Sequence, residues 1–447
     1  MTRYVFVLGK NWMLGIAELI VYLRDRNLAK EVLDYTRTTA IVDIQEDLKD
    51  VELIDVLGAL GGSFKIARVV SVYDRILLEE AFPAKGKVQK QARALLQQVP
   101  WAKKTWKNVK NKKVKFAVST YSTYAKQTTI DLRKLTMGFN EWTKQQLIRM
   151  GARKVIYYVY EGPDKRGAKR PNVALWPKSI ARHGLLSPPN AEIIMAIAES
   201  SVYVAKTIGV YDAQLQRYRD ESRPYISEEV STSPKLCRAL LNFAGTRTGD
   251  TILDPFCGSG TLLMEAALLG MKCVGVDIDA NAANGAKQNL RWLSRDLGER
   301  MSFKIVKGDS QQIDELITEK IDAVASEPEL GPVHKDRPTK EEAVRHISEL
   351  TQLYRTVLLK IGKILRSEGR IGMTIPVINS KDGQLSIDLE EMTAGTEFHV
   401  LMMLPKEAFE SSIPKSKQLK ITPDRPVLPE RKRGQVVERG VVMLGRY

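Results

Sequence analysis

The sequence predicts an α/β protein whose C-terminal half is a parallel, doubly wound, Rossmann-like sheet, preceded by two smaller α+β units. Three observations predict this. From about Ser231 onward, short apolar strands alternate regularly with helix-length amphipathic runs. A Gly-x-Gly loop, carrying Gly258 and Gly260, joins the first strand of that region to the helix after it. Three acids, Asp254, Asp277 and Asp309, close three successive strands.

Taken in order, "YVFVLG" reads as a strand, "MLGIAELIVYLRDR" as a helix and "TTAIVDI" as a strand. A helix at "DLKDVELIDVLGAL" and a strand at "FKIARVVSVY" complete a ferredoxin-like α+β unit over residues 1–78. A second unit, residues 79–186, has strand "KVKFAVSTY", helix "IDLRKLTMGFNEWTKQQLIRMG", strand "KVIYYVYEG" and the strand-like "NVALWP". Residues 187–230, with prolines near both ends, read as a helical linker. In the last unit, residues 231–447, helix "SPKLCRALLNFAG" leads into strand "DTILDPF", the glycine loop and its helix. Strands "KCVGVDI", "FKIVKGD", "KIDAVASE" and "RIGMTIP" then alternate with helices, as a parallel sheet covered on both faces requires.

Composition narrows the function. The formal net charge is +16 over 447 residues, which suits a polyanionic partner. The basic residues crowd into "KGKVQKQARALLQQVPWAKKTWKNVKNKKVKF" and "GPDKRGAKRP". Trp101 and Trp106 lie among the lysines of the first run, which favours a phosphate-contacting surface over a solvated helix face. The three cysteines, Cys237, Cys257 and Cys273, lack CxxC spacing and neighbouring histidines, so neither a disulfide framework nor a metal site is expected. Met1 and Thr2 lead straight into "RYVFVLG", without the apolar region and cleavage site of a signal peptide, and no apolar run reaches membrane-spanning length. A cytoplasmic protein with no membrane partner is expected.

The loop "ILDPFCGSGTLLMEAALLG" decides what the sheet binds. A nucleoside triphosphate loop needs GxxxxGK[ST], and this one has no lysine. A dinucleotide fingerprint wants a third glycine where Leu263 stands. Asp254, just before the loop, would repel a pyrophosphate but attract an ammonium or sulfonium. Asp277 falls where a carboxylate takes ribose hydroxyls. Asp309 could read an adenine amino group. An adenosine with a cationic tail satisfies all three, and S-adenosyl-L-methionine is that molecule. Asp254, Phe256, Gly258, Gly260, Asp277 and Asp309 are its expected contacts. The plainer alternative is that strand-end acids cap turns and helices.

"ILDPFCGSGT", "GVDIDANAANGAKQNL" and "KGDS" resemble the motifs of class I methyltransferases that modify exocyclic amines of nucleic-acid bases. The nearest resemblance is to THUMP-domain tRNA guanosine N2-methyltransferases of the Trm11 type. The lead-in "YRDESRPYISEEVSTSPKLCRALLNFAG" is similar to that family's, and the basic middle region lies where its THUMP domain would be, so the resemblance covers essentially the whole chain. It implies methyl transfer to a guanosine N2 in tRNA, by a monomer or with a small helper subunit. It also implies a fourth-strand motif, typically D-P-P-Y, in which the acid and the first proline's carbonyl align the target amine while the aromatic stacks on the flipped base.

The matching segment here is "SEPELG", Ser326 to Gly331. Glu327 and Pro328 are the expected catalytic pair. Leu330 stands where the aromatic would be, and aromatic stacking is worth about 1–3 kcal/mol per base. Tyr225 or Tyr354 could replace it. Arg223, Leu330, Lys112, Lys113, Arg166 and Arg170 are the expected substrate contacts. The departures from D-P-P-Y keep two alternatives open: a DNA amino-methyltransferase, and a tRNA-binding relative with a weakened or lost active site. Of the four histidines, only His334, beside this loop, invites a test.

Overall fold

The computed structural model describes residues 2–446 except 47, 123–128, 161–171, 227–231, 333–335 and 431–434. Its N-terminal part begins with β1 (Thr2–Leu8), α1 (Trp12–Asp25), β2 (Thr39–Ile44), α2 (Asp50–Ala59) and β3 (Ser63–Asp74). β4 (Lys113–Ser122), α3 (Leu132–Arg149) and β5 (Lys154–Tyr158) follow. Then come β6 (Ala191–Ile197), β7 (Ser201–Val210) and α4 (Ala213–Ser222).

The stretch expected to be a helical linker therefore holds two strands before its helix. "AEIIMAI" is buried at every position. A strand covered on both faces shows no alternation, so its pattern cannot be told from that of a buried helix. The two small units also join. β3 pairs with β7, and the sheet runs β2-β1-β3-β7-β6-β4-β5, with Asp34–Tyr35 beyond β2 and Asn172–Val173 beside β4. A buried ion pair fastens the join: Lys65 Nζ lies 2.5 Å from Glu192 Oε1, both side chains fully covered. The Glu192 carboxylate also accepts from Ser119 and Thr207, so its charge is well compensated.

The C-terminal part starts with α5 (Pro234–Phe243), capped by Ser233, and β8 (Thr251–Asp254). It continues through α6 (Thr261–Leu268), β9 (Lys272–Asp277), α7 (Ala280–Leu297), β10 (Phe303–Lys307) and β11 (Ala323–Ser326). α8 (Lys340–Ile364), β12 (Arg370–Ser380), β13 (Phe398–Leu401) and β14 (Val437–Arg446) complete it. The sheet order is β10-β9-β8-β11-β12-β14-β13, parallel as far as β12, with β14 inserted antiparallel between β12 and β13. The expected doubly wound sheet is present. Ile252 and Leu253, adjacent on β8, fall in separate cores: one with α5, α6 and α7, the other with α8. The chain leaves β8 toward β9 on one side and returns to β11 on the other, so the crevice for a ligand opens beyond the ends of β8 and β11.

The two parts share a core. α1 packs on α5, and Glu18 is buried between them. Its carboxylate accepts from Gly61 N (2.7 Å), Gly62 N (2.6 Å) and Asn242 Nδ2 (2.7 Å). Gly61 is required there, because a Cβ would lie 1.9 Å from the Lys235 carbonyl oxygen. The segment between β13 and β14 crosses back onto the N-terminal part. Ala408 accepts from Val32 N, Ile413 N donates to Leu33, and Lys415 pairs with the buried Asp34.

Candidate active site

The end of β8 delivers Asp254 into the crevice. It is 3% exposed, and its carboxylate accepts from Ser326 Oγ at 2.6 Å and from Phe256 N at 3.1 Å. Burial is the main force pushing it up to about 7, and the nearby Asp277 and Glu327 charges add to it. A cation bound beside it would favour its ionised form. The loop then turns through Gly258 and Gly260, both in the left-handed region. A Cβ on Gly258 would meet nothing within 4 Å, so its backbone faces open space that a ligand can enter. A Cβ on Gly260 would lie 3.0 Å from that of Ala286, so this glycine serves the close packing of α6 on α7.

Asp277, at the end of β9, is part of the same cradle. Its carboxylate accepts from Gly258 N at 2.7 Å through one oxygen and from Asp279 N at 2.9 Å through the other. Each oxygen keeps lone-pair capacity for a ribose hydroxyl. Ile278 follows it, 68% exposed, an apolar surface beside the acid that sequence reading passes over. Asp309 accepts from Gln311 N and caps the short turn Ser310–Gln312, as the plainer reading of strand-end acids expects, while Ser310 Oγ donates to the Pro255 carbonyl.

Arg223 is turned inward. It is 8% exposed and donates to Thr261 Oγ1 at 2.8 Å, so it steadies the start of α6 rather than reaching toward a substrate. Tyr225 lies against Gly285, where a Cβ would come within 2.1 Å of its ring. Asn289 Nδ2 donates to both the Tyr225 carbonyl (2.9 Å) and the Ser259 carbonyl (2.9 Å), tying the lead-in segment to the glycine loop.

The loop after β11 brings Glu327 and Pro328 to the same crevice. Pro328 is buried, and Glu327 is held by two parallel bonds from Arg439 on β14: Nε to Oε2 at 2.8 Å and Nη2 to Oε1 at 2.7 Å. The arginine and glutamate side chains are 5% and 12% exposed, respectively. Sequence reading misses Arg439, although one arginine inside the apolar run "VVERGVVML" signals a buried partner. Tyr354 is 1% exposed, and its hydroxyl donates to the Glu329 carbonyl. It braces the loop from beneath and presents no ring face to a base. Beneath the two loops, an apolar pocket is lined by Pro255, Phe256, Pro328, Tyr354 and Met373 among others. Leu330 is half-buried.

The basic run divides. Lys85, Lys87, Lys103, Lys107, Lys110, Lys112 and Lys113 are exposed. The tryptophans are not: Trp101 (1% exposed) donates to Thr143 Oγ1, and Trp106 (4%) to the Pro189 carbonyl. They anchor the core under α3 and so give no support to a nucleic-acid surface, while the lysines stay in place. Arg166, Arg170 and His334 lie outside the described residues. The three cysteines are buried and free. No helix among the described residues is long and apolar enough to cross a membrane.

Numbered within its own domain, the second sheet has strand order 3-2-1-4-5-7-6. With a glycine loop after strand one, acids after strands one to three and a proline loop after strand four, it defines a class I methyltransferase fold. A family model described as an RMKL-like methyltransferase domain matches residues 223–380, and one described as a DNA methylase matches residues 86–288. The tRNA (guanine(10)-N2)-dimethyltransferase of Methanothermobacter thermautotrophicus is 34% identical over 158 residues, 35% of this chain and 42% of that protein. Its namesake from Methanocaldococcus jannaschii is 33% identical over 153 residues, 33% of this chain and 42% of that protein. A probable tRNA (guanine(10)-N2)-dimethyltransferase from Methanothermococcus thermolithotrophicus is 31% identical over 120 residues, 26% of this chain and 72% of that sequence. The chain belongs to the tRNA guanine-N2 methyltransferase family that these relatives represent. It spans 42% of the length of each of the first two.

Proposed function

We propose that this chain is a cytoplasmic enzyme that transfers a methyl group from S-adenosylmethionine to the exocyclic N2 amine of a guanosine in tRNA. One observation carries the reading: the open-faced Gly258 loop, Asp277, Asp254 and the Glu327–Pro328 loop meet at the switch point of one sheet. S-adenosylmethionine supplies, when bound, an electrophilic methyl group on a sulfonium. The residues present fit it. Gly258 leaves room for it, the Asp277 carboxylate would accept from its ribose hydroxyls, Ile278 would cover its adenine and Asp254 would pair with its ammonium. Glu327 and the Pro328 carbonyl accept the two amine protons of the target base, which aims the nitrogen lone pair. The amine sheds its extra proton after it has reacted, to Glu327 or to water, so no strong base is needed. The exposed lysines of the N-terminal part hold the RNA backbone.

One feature favours a second reading, a tRNA-binding relative with a weakened active site: both Glu327 oxygens are engaged by Arg439, and neither Leu330 nor Tyr354 offers a ring to the base. The DNA-methylase match over residues 86–288 keeps DNA as a rival substrate. Labelled methyl incorporation into bulk tRNA and into DNA, measured side by side, separates the three. Label in tRNA alone is expected. Label in DNA, or cofactor binding without transfer, selects one of the others.

A further inference from the structure

We propose that Arg439 is a positioning residue for Glu327, and that Glu430 and Asn11 extend this clamp to the N-terminal part of the chain. The proposal rests on the reading that Glu327 aligns the target amine.

A guanidinium bonded through Nε and Nη2 fixes a carboxylate in plane, orientation and distance, which a point-charge ammonium cannot do. Both partners are largely removed from water, so Glu327 left alone would be an uncompensated buried charge and would turn outward. The pair is neutral as a whole. Each carboxylate oxygen retains a lone pair away from Arg439, and an amine can donate to it. The Glu–Arg unit thus serves as a rigid neutral acceptor, and the added methylene of Glu327 relative to an aspartate is what spans the gap to β14.

Arg439 is itself held. Its Nη1 lies 3.8 Å from Glu430 Oε2, and the Glu430 side chain is 9% exposed. Glu430 Oε1 accepts from Asn11 Nδ2 at 3.2 Å. Asn11 immediately precedes α1, the helix that seats the N-terminal part on α5. The line Asn11–Glu430–Arg439–Glu327 therefore runs from the N-terminal part to the proposed reacting centre, and correct seating of one sets the geometry of the other.

The test uses the full chain, an unmodified tRNA transcript and labelled S-adenosylmethionine. Arg439→Lys should lower kcat about tenfold and Arg439→Gln on the order of a hundredfold, with KM for tRNA and cofactor affinity unchanged. Glu430→Gln and Asn11→Ala should give smaller losses, again in kcat. Arg439→Gln placed on Glu327→Gln should add no further loss, because the clamp then has nothing to position. Wild-type kcat in Arg439→Lys, or losses that multiply in the double variant, would overturn the positioning role while leaving Glu327 catalytic. Full turnover in Glu327→Ala, or none in the wild type, would remove the underlying reading and the proposal with it.

Discussion

Asp254 is the residue whose charge a cationic cofactor would set. Burial holds it at about 7, and Glu18 is raised to about 7 by the same cause. An acid whose folded value is raised contributes stability that is complete below its unfolded value, near 4, and is lost as pH climbs through the folded one. The melting temperature of the ligand-free chain should therefore fall between about pH 4 and 7. Cofactor affinity should rise over the same interval, with proton release on binding, and Asp254→Asn should flatten that rise. Calorimetry in buffers of different ionisation heat measures both; a pH-independent affinity would remove Asp254 from the site. Asp277→Ala tests the other acid. Losing its charge-assisted bonds, about 1.5–3 kcal/mol, should weaken cofactor binding tenfold or more and leave tRNA affinity unchanged.

At the scale of elements, the loop after β11 is shaped for a glutamate. Glu327→Asp restores the residue usual in the related motif, yet it is one methylene too short to keep both bonds to Arg439. Turnover should fall at least tenfold in steady-state kinetics, with cofactor affinity unchanged; an equal or faster rate would show that the longer side chain is merely tolerated. The loop's acid and proline are legible in sequence because strand, loop and acid follow one another there. Arg439 is not, since it lies 112 residues away and only the antiparallel insertion of β14 brings it near. β6 escapes a sequence reading for a related reason: its burial comes largely from neighbours distant in sequence, and this erases the alternation that identifies a strand. The tryptophans of the basic run mislead in the opposite direction. They lie on the covered face of the segment that carries the lysines, and a local reading of composition does not separate the two faces.

At the scale of the molecule, one nine-stranded sheet joins what reads in sequence as two domains, and a shared core seats it on the methyltransferase sheet. The lysines of the first sheet are thus carried at a fixed distance from the crevice of the second. RNA affinity should fall steeply with salt. Replacing both Lys112 and Lys113 by alanine should flatten the slope of log affinity against log salt, by just under one unit for each phosphate of duplex-like RNA that is no longer neutralised. An unchanged slope would place the RNA elsewhere. The same fixed geometry is what the methyl-transfer reading requires, because a base can reach Glu327 only if the backbone around it is held. The most direct test is mass spectrometry of nucleosides from an unmodified tRNA transcript incubated with the full chain and S-adenosylmethionine. Guanosine methylated at N2 is the predicted product. Unmodified nucleosides despite cofactor binding, or methylation confined to another base, would contradict the account.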